Sequence, residues 1–188
     1  MSTQSKNFKE KIILGIDPGT NVMGYGIIQI NGKAVSMLSM GSIQIKDGDY
    51  ADKLKRIFDK TLELVDQYLP DEVALEAPFF GKNVQSMLKL GRAQGVSMAA
   101  ALYRNIPITE YSPRKIKQSI TGSGAASKEQ VAGMLQSILK IEELPKYLDA
   151  TDGLAVALCH YYQSTNAIPS GSKKGWASFI SQNPDRVK

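Results

Sequence analysis

One cysteine and one histidine in 188 residues close off several chemistries at once. Cys159 alone allows no internal disulfide, and with His160 alone beside it the chain can build neither a cysteine-based zinc site nor a histidine cluster. Cys159 reads as a small buried hydrophobe, and His160 as packed or exposed rather than catalytic. No His–Ser or His–Cys catalytic pair stands out. No apolar run approaches the ~20 residues that a membrane-spanning helix needs. The opening "MSTQSKNFKEK" lacks the apolar core of a signal peptide, so a reducing, cytoplasmic setting is expected. No internal repeat is found.

What is present is ordinary for one globular domain: 43% hydrophobic residues and 22% charged residues. Lys and Arg number 23 against 18 Asp and Glu, a net charge of +5. By itself that excess is a weak pointer to a polyanionic partner.

Along the chain, "KIILGID" reads as a strand buried on both faces. "YGIIQI" and "AVSMLSMGSIQI" follow as a second and a third, the last bent at Gly41, in an antiparallel meander. Residues 50–69 switch to helical spacing, with Leu54, Ile57, Phe58, Leu62, Val65 and Leu69 on one face and Pro70 as the stop. "DEVALEA" is a fourth strand, "QSMLKLGRAQGVSMAAALYRN" a long helix and "IPITEY" a fifth strand. Three helices close the order: "SPRKIKQSI", capped by Ser112 with Pro113 first in the helix, "SKEQVAGMLQSILKI", with Ser127 and Gln130 spaced for a capping box, and "DATDGLAVALCHYYQS". The pattern predicts an α/β domain over 11–165, one sheet covered by helices. Residues 1–10 read as a flexible N-terminal extension and 166–188 as a polar, flexible tail.

Four acids sit where apolar segments stop. Asp17 and Glu76 each end a strand. If those strands lie side by side and parallel, both carboxylates emerge at the carboxyl edge, where open α/β sheets bind ligands. Asp149 and Asp152, three apart at a helix start, share one face of a turn. Taken singly, Asp before Pro-Gly is a turn residue and Asp at a helix start is a cap. Glu76 is harder to dismiss, because an unpaired carboxylate among apolar neighbours is costly. Gathered together, the four repel, and hard cations such as Mg2+ or Mn2+ relieve that repulsion. Two ions about 3.5–4 Å apart form the clamp that serves phosphodiester displacement.

The segments "ILGIDPGTNVMGYGII", "ALEAPFFGKNVQSMLKLGRAQGV", "EYSPRKIKQSITGSGAASKEQV" and "DATDGLAVALCH" together closely resemble the RuvC family, bacterial Holliday-junction resolvases of the ribonuclease H-like superfamily. The likeness spans about residues 11–165 in the family's order. It implies a ribonuclease H-like nuclease domain, with a central mixed five-stranded sheet flanked by helices. It implies a Mg2+-dependent endodeoxyribonuclease that makes paired, symmetric nicks in four-way DNA junctions, with two ions per site and Mn2+ as a substitute. Asp17, Glu76, Asp149 and Asp152 become the metal-binding catalytic acids. Phe79 becomes the aromatic that enters the opened junction, assisted by Phe80, and Lys117 and Lys128 become phosphate holders. Lys82, Lys89, Arg92, Arg114 and Lys115 are further candidates for the cationic surface, as are Lys173 and Lys174 in the tail. Two matched cuts imply a homodimer, for which Gly91 and Gly95 on the long helix are the interface candidates. Packing of that helix against its own sheet is the alternative. The likeness also implies a RuvA–RuvB branch-migration complex as partner. The chain departs from the family's usual residues at Ala77 and Pro78, which stiffens the loop before Phe79.

Two rival functions stay open on the residues alone. One is a catalytically inactive junction-binding protein of the same fold. The other is a phosphotransferase using "DPGT" for ATP, for which no second nucleotide-binding half is found.

Overall fold

The structure, a computed structural model, describes residues 10–45, 48–78, 83–145 and 147–165. The proposed N-terminal extension, apart from Glu10, and the whole C-terminal tail lie outside the described residues. The elements run β1 (Lys11–Asp17), β2 (Val22–Asn31), β3 (Ala34–Gln44), α1 (Tyr50–Tyr68), β4 (Glu72–Glu76), α2 (Val84–Tyr103), β5 (Ile108–Tyr111), α3 (Pro113–Thr121), α4 (Lys128–Leu139) and α5 (Asp149–Thr165). The five strands form one sheet in the order β3-β2-β1-β4-β5. β1, β2 and β3 are the expected antiparallel meander, whereas β4 lies parallel to β1 and β5 parallel to β4.

Local chemistry sets the helix ends. Asp49 and Asp52 form a capping box at α1, and Ser127 and Gln130 form the expected one at α4. Ser112 caps α3 with Pro113 behind it. Two expectations change. Leu69 is not on the buried face of α1: it is the C-cap, in the left-handed region at φ 48°, and 74% exposed. Leu64 takes the place in the core. The irregularity in β3 is not at Gly41 but at Leu38. Ile27 pairs with Ser39 and Ile28 with Met37, which leaves Leu38 as the extra residue of a bulge. Gly41 instead accommodates the ring of Tyr25, since a Cβ there would come within 2.7 Å of it.

Strand alternation divides the core. Ile13, Ile28, Ile30 and Ala74 face α3, α4 and α5, whereas Leu14, Ile16, Ile27, Val73 and Leu75 face α1 and α2. α5 lies unusually close to the sheet. A Cβ on Gly15 would come within 2.3 Å of the Gly153 carbonyl and the Ala157 nitrogen, and one on Gly26 within 2.3 Å of the Leu154 Cα. A Cβ on Gly153 would come within 2.4 Å of the Tyr25 Cα. Glycine is required at this seam because helix backbone rests on strand backbone.

Candidate active site

Register and alternation aim the first two acids. Ile16 pairs with Leu75, so the next residue on each strand, Asp17 and Glu76, ends side by side at the carboxyl edge. Ile13 and Ala74 face α5, and a period of two puts Asp17 and Glu76 on that same face. There the first turn of α5 carries Asp152. Its approach is fixed by the glycine seam, down to Gly24, where a Cβ would come within 2.1 Å of the Asp149 carbonyl.

Asp17, Glu76 and Asp152 consequently line one cavity of about 210 Å3, with Lys117 of α3 and Lys128 of α4 in its wall. A second lobe of about 210 Å3, also lined by Asp17 and Glu76, extends past Gly19 and Pro78 to Leu90 and Gln94 of α2. Asp149 sits at the rim, where Lys128 links it to the cluster. The Nζ of Lys128 lies 2.5 Å from Asp152 Oδ2 and 3.5 Å from Asp149 Oδ1.

The electrostatics follow from burial and crowding. Asp17 is pushed up from 3.8 to about 7, first by burial and then by the Asp152 charge, with Lys128 opposing. Burial, followed by Asp17 and Asp152, pushes Glu76 from 4.5 up to about 8 against the pull of Lys128 and Lys117. Burial also raises Asp152, although Lys128 donates a hydrogen bond to it. Lys128 itself is held above the usual lysine value: burial lowers it, but the hydrogen bond and charge of Asp152 and the charge of Asp149 outweigh that.

Among the described residues, no three His, Cys, Asp and Glu side chains stand ready-made around a common ion position. The carboxylates occupy the walls, and the Lys128 ammonium stands between Asp152 and Asp149. The donor set still fits a hard divalent cation: it is carboxylate oxygen only, crowded, buried and short of counter-charge. One thiol and one imidazole, both on α5 beyond Asp152, exclude a soft site.

Of the basic residues singled out, Lys117 and Lys128 border the acids. Lys89 lines a neighbouring cleft, and Arg92 lies over the ring of Tyr50 at 5.8 Å. Arg114 and Lys115 are exposed on α3, with Lys115 lining a separate cleft beside Tyr162. Phe79, Phe80 and Lys82 lie outside the described residues, as do Lys173 and Lys174. Gly91 and Gly95 do not pack on the sheet, since a Cβ at either would meet nothing within 4 Å.

Two features escaped the sequence reading. Gln94, only 6% exposed, donates to the Glu76 carbonyl at 3.2 Å and to Glu110 Oε1 at 2.5 Å, fixing the backbone that carries the acid. Its only signal was an amide within the small-residue run "GRAQGVSMAA". His160 is buried, between Tyr111 Oη at 2.8 Å and Glu72 Oε2 at 2.5 Å, and Lys11 reaches the same Glu72 oxygen at 2.7 Å. This network begins at the opposite end of β4 from Glu76. It ties α5 to the sheet.

The model of the family "Crossover junction endodeoxyribonuclease RuvC" matches residues 13–160. The chain is 61% identical over 180 residues to the crossover junction endodeoxyribonuclease RuvC of Christiangramia forsetii, covering 95% of this chain and 94% of that protein. It is 58% identical over 183 residues to the RuvC of Bacteroides fragilis, covering 96% and 97%. Among solved structures, it superposes on Thermus thermophilus RuvC in complex with Holliday junction substrate, with a TM-score of 0.76 and 31% identity over 82% of this chain and 94% of that one. The sheet and its flanking helices have the ribonuclease H-like arrangement.

Proposed function

This chain belongs to the RuvC family of crossover junction endodeoxyribonucleases, and on that premise we propose that Asp17, Glu76, Asp149 and Asp152 form its catalytic centre. The protein is a nuclease that resolves Holliday junctions with a divalent metal. The observation that carries the assignment is the cavity shared by Asp17, Glu76 and Asp152, with two carboxyls pushed up to about 7 and about 8. Acids crowded in this way, with only Lys117 and Lys128 against them, favour a cation over any neutral ligand.

Asp17, Glu76 and Asp152 would hold Mg2+, or Mn2+ in its place, with Asp149 completing the set from the rim, at two ions per site. When bound, the ions supply the Lewis acidity that makes hydroxide from water and stabilises the leaving 3′ oxygen, so that the cut leaves a 5′ phosphate. Lys117 and Lys128 neutralise the phosphate oxygens of the cleaved strand. Lys128 lets go of Asp152 to do so. Gln94 keeps Glu76 in position through its carbonyl. Phe79, with Phe80 beside it, stacks on an unpaired base at the opened junction centre.

The two cuts lie on strands related by a near two-fold axis, so the active form is a C2 homodimer. Val84, Leu88, Gly91, Gly95 and Leu102 fall along one side of α2 at helical spacing. Val84, Leu88 and Leu102 are among the exposed large apolar side chains, and the two glycines leave room for a second helix. A RuvA–RuvB branch-migration complex is the expected partner in processing.

The deciding experiment is a nicking gel on a four-way junction, run beside a binding assay. Asp17→Asn binds the junction and does not cut it, with Mg2+ present. Normal cutting by that variant would remove the catalytic assignment. Binding by the wild type without Mg2+-dependent nicking would favour the inactive scaffold.

A further inference from the structure

The turn that carries Asp17 has a second cleft on its far side, of opposite character. It measures about 360 Å3 and is walled by Thr20, Asn21, Tyr50, Lys53, Ser86, Lys89 and Leu90. Among the described residues, no carboxylate lines it. Every polar side chain in its wall can donate a hydrogen bond, and two carry a full positive charge. Lys53 Nζ donates to a neutral group, the Asn21 amide oxygen, at 3.1 Å. Neither Lys53 nor Lys89 has an acidic partner among the described residues, whereas Lys11, Lys55, Lys60, Arg104 and Lys128 all do. The acids nearest in sequence, Asp49 and Asp52, are taken up in the capping box of α1.

The walls are fixed. Tyr50 Oη donates to the Lys89 carbonyl at 3.1 Å, which pins the start of α1 to α2, and the Arg92 guanidinium lies over the Tyr50 ring as a third positive charge. Asn21 is anchored by its own carbonyl, which accepts from the Ile45 N–H at 2.8 Å. The cleft also adjoins the acid site. Leu90 lines both this cleft and the lobe that holds Asp17 and Glu76, and the turn from Asp17 to Asn21 separates the two. An electropositive recess therefore adjoins an electronegative one along a single edge of the sheet.

We propose that this cleft binds a backbone phosphate of the cleaved DNA strand, next to the phosphate that is cut, and so sets which bond of the strand reaches the carboxylates. The inference rests on the nuclease reading and adds Lys53, Asn21 and Thr20 to the substrate-binding surface. An electropositive recess against an acidic one suits a polyanion whose charges repeat along a strand. A neutral ligand would leave both lysines uncompensated, and a free anion would gain nothing from the adjoining site.

The test uses the full-length protein and a four-way junction, with Ca2+ in place of Mg2+ so that binding is read without cutting. Lys53→Gln and Lys89→Gln each weaken binding about fivefold, the worth of a unit-charge pair at ~4 Å in water. Each also lowers the slope of log affinity against log salt by about 1, and Lys53→Arg restores both. Independently of any variant, neutral methylphosphonates placed singly along the cleaved strand weaken wild-type binding at one position beside the cut. The same substitution has a smaller effect on Lys53→Gln, where only the Lys89 contact is left to lose. Unchanged affinity and slope in both lysine variants, or a methylphosphonate effect that adds in full to Lys53→Gln, overturns the proposal. Failure of the wild type to bind or cut the junction at all would instead overturn the nuclease reading.

Discussion

Removing the charge of Asp17 should make the metal-free protein more stable, not less. The carboxyl titrates at about 7 in the fold against 3.8 in the open chain, because burial and the charge of Asp152 penalise its ionised form. The folded state therefore holds a proton that the unfolded chain releases. The contribution of this group to stability is full below pH 4 and is lost as the pH climbs from there through 7. At 1.36 kcal/mol per pH unit, a rise from 3.8 to about 7 corresponds to about 4 kcal/mol at alkaline pH. Part of that is repulsion shared with Glu76 and Asp152, which relax once Asp17 is neutral, so about 2–4 kcal/mol is the expected gain for Asp17→Asn at pH 8.5. The difference narrows as the pH falls below 7 and vanishes only below about pH 4, where the unfolded chain is protonated at Asp17 as well.

Urea denaturation of both proteins in EDTA, at several pH values from 5 to 8.5, reads this directly. Comparing the two proteins at each pH cancels every other titrating group that the substitution leaves alone. Saturating Mg2+ should then close the gap, because binding at 100 times the dissociation constant adds about 2.7 kcal/mol to the wild type alone. A variant equal to or weaker than the wild type at pH 8.5, or a difference that does not change with pH, refutes the idea that the site is a strained acid cluster awaiting a cation.

Other consequences are as specific. Gly153→Ala puts a Cβ about 2.4 Å from the Tyr25 Cα, so α5 must retreat from the sheet; a loss of about 3 kcal/mol in denaturation and a fall in nicking are expected. Glu72→Gln removes the carboxylate that Lys11 and His160 share; burial raises that group's pKa, but the hydrogen bonds from Lys11 and His160 outweigh burial and hold it below the usual value. The substitution should cost about 1–3 kcal/mol in stability while leaving the nicking rate of folded protein intact. Lys128→Met withdraws the cation standing between Asp152 and Asp149; calorimetry on DNA-free protein should show tighter Mg2+ binding, while junction cutting slows. With Asp17 at about 7 and Glu76 at about 8, the two are about half and about nine-tenths protonated at pH 7, so Mg2+ binding there should release about 1.4 protons, measured by calorimetry in buffers of different ionisation enthalpy. Zero release would contradict both values.

How much of this was legible in the sequence depended on the range of the interaction. Asp17 and Glu76 were visible because an acid closing an apolar strand is a local anomaly, and the α4 capping box because Ser127 and Gln130 lie within four residues. The parallel pairing of β1 with β4 could be conjectured, but no local pattern demands it, because 54 residues and a helix separate the two strands. It is nevertheless what converts two strand ends into one site. The close approach of α5 was written in Gly15, Gly24, Gly26 and Gly153, yet each reads as an ordinary strand or helix glycine until the register sets it against backbone. Gln94 and Glu72 act through partners 16 to 88 residues away, beyond the reach of any periodic pattern. The bulge at Leu38 left no composition signal, whereas Gly41 offered a false one.

A nuclease of this kind faces a conflict of charge, since a site built from acids must admit a polyanion. The net charge of +5 does not resolve it, because excess lysine elsewhere leaves the local field at the cavity unchanged beyond about 10 Å of salt solution. Two local devices do. Burial lifts Asp17 and Glu76 toward neutrality at physiological pH, so the metal-free cavity carries less charge than its three carboxyls suggest. Lys128 cancels part of what remains. A divalent cation held by the acids would undo both devices, displacing their protons and leaving Lys128 free for phosphate. On the proposed reading the metal would do more than activate water: with the acids holding it, Lys117 and Lys128 would turn a self-neutralised pocket into a positively charged landing point for the strand. The energetic strain predicted for Asp17 is the cost of keeping the pocket in the first state until the second is needed.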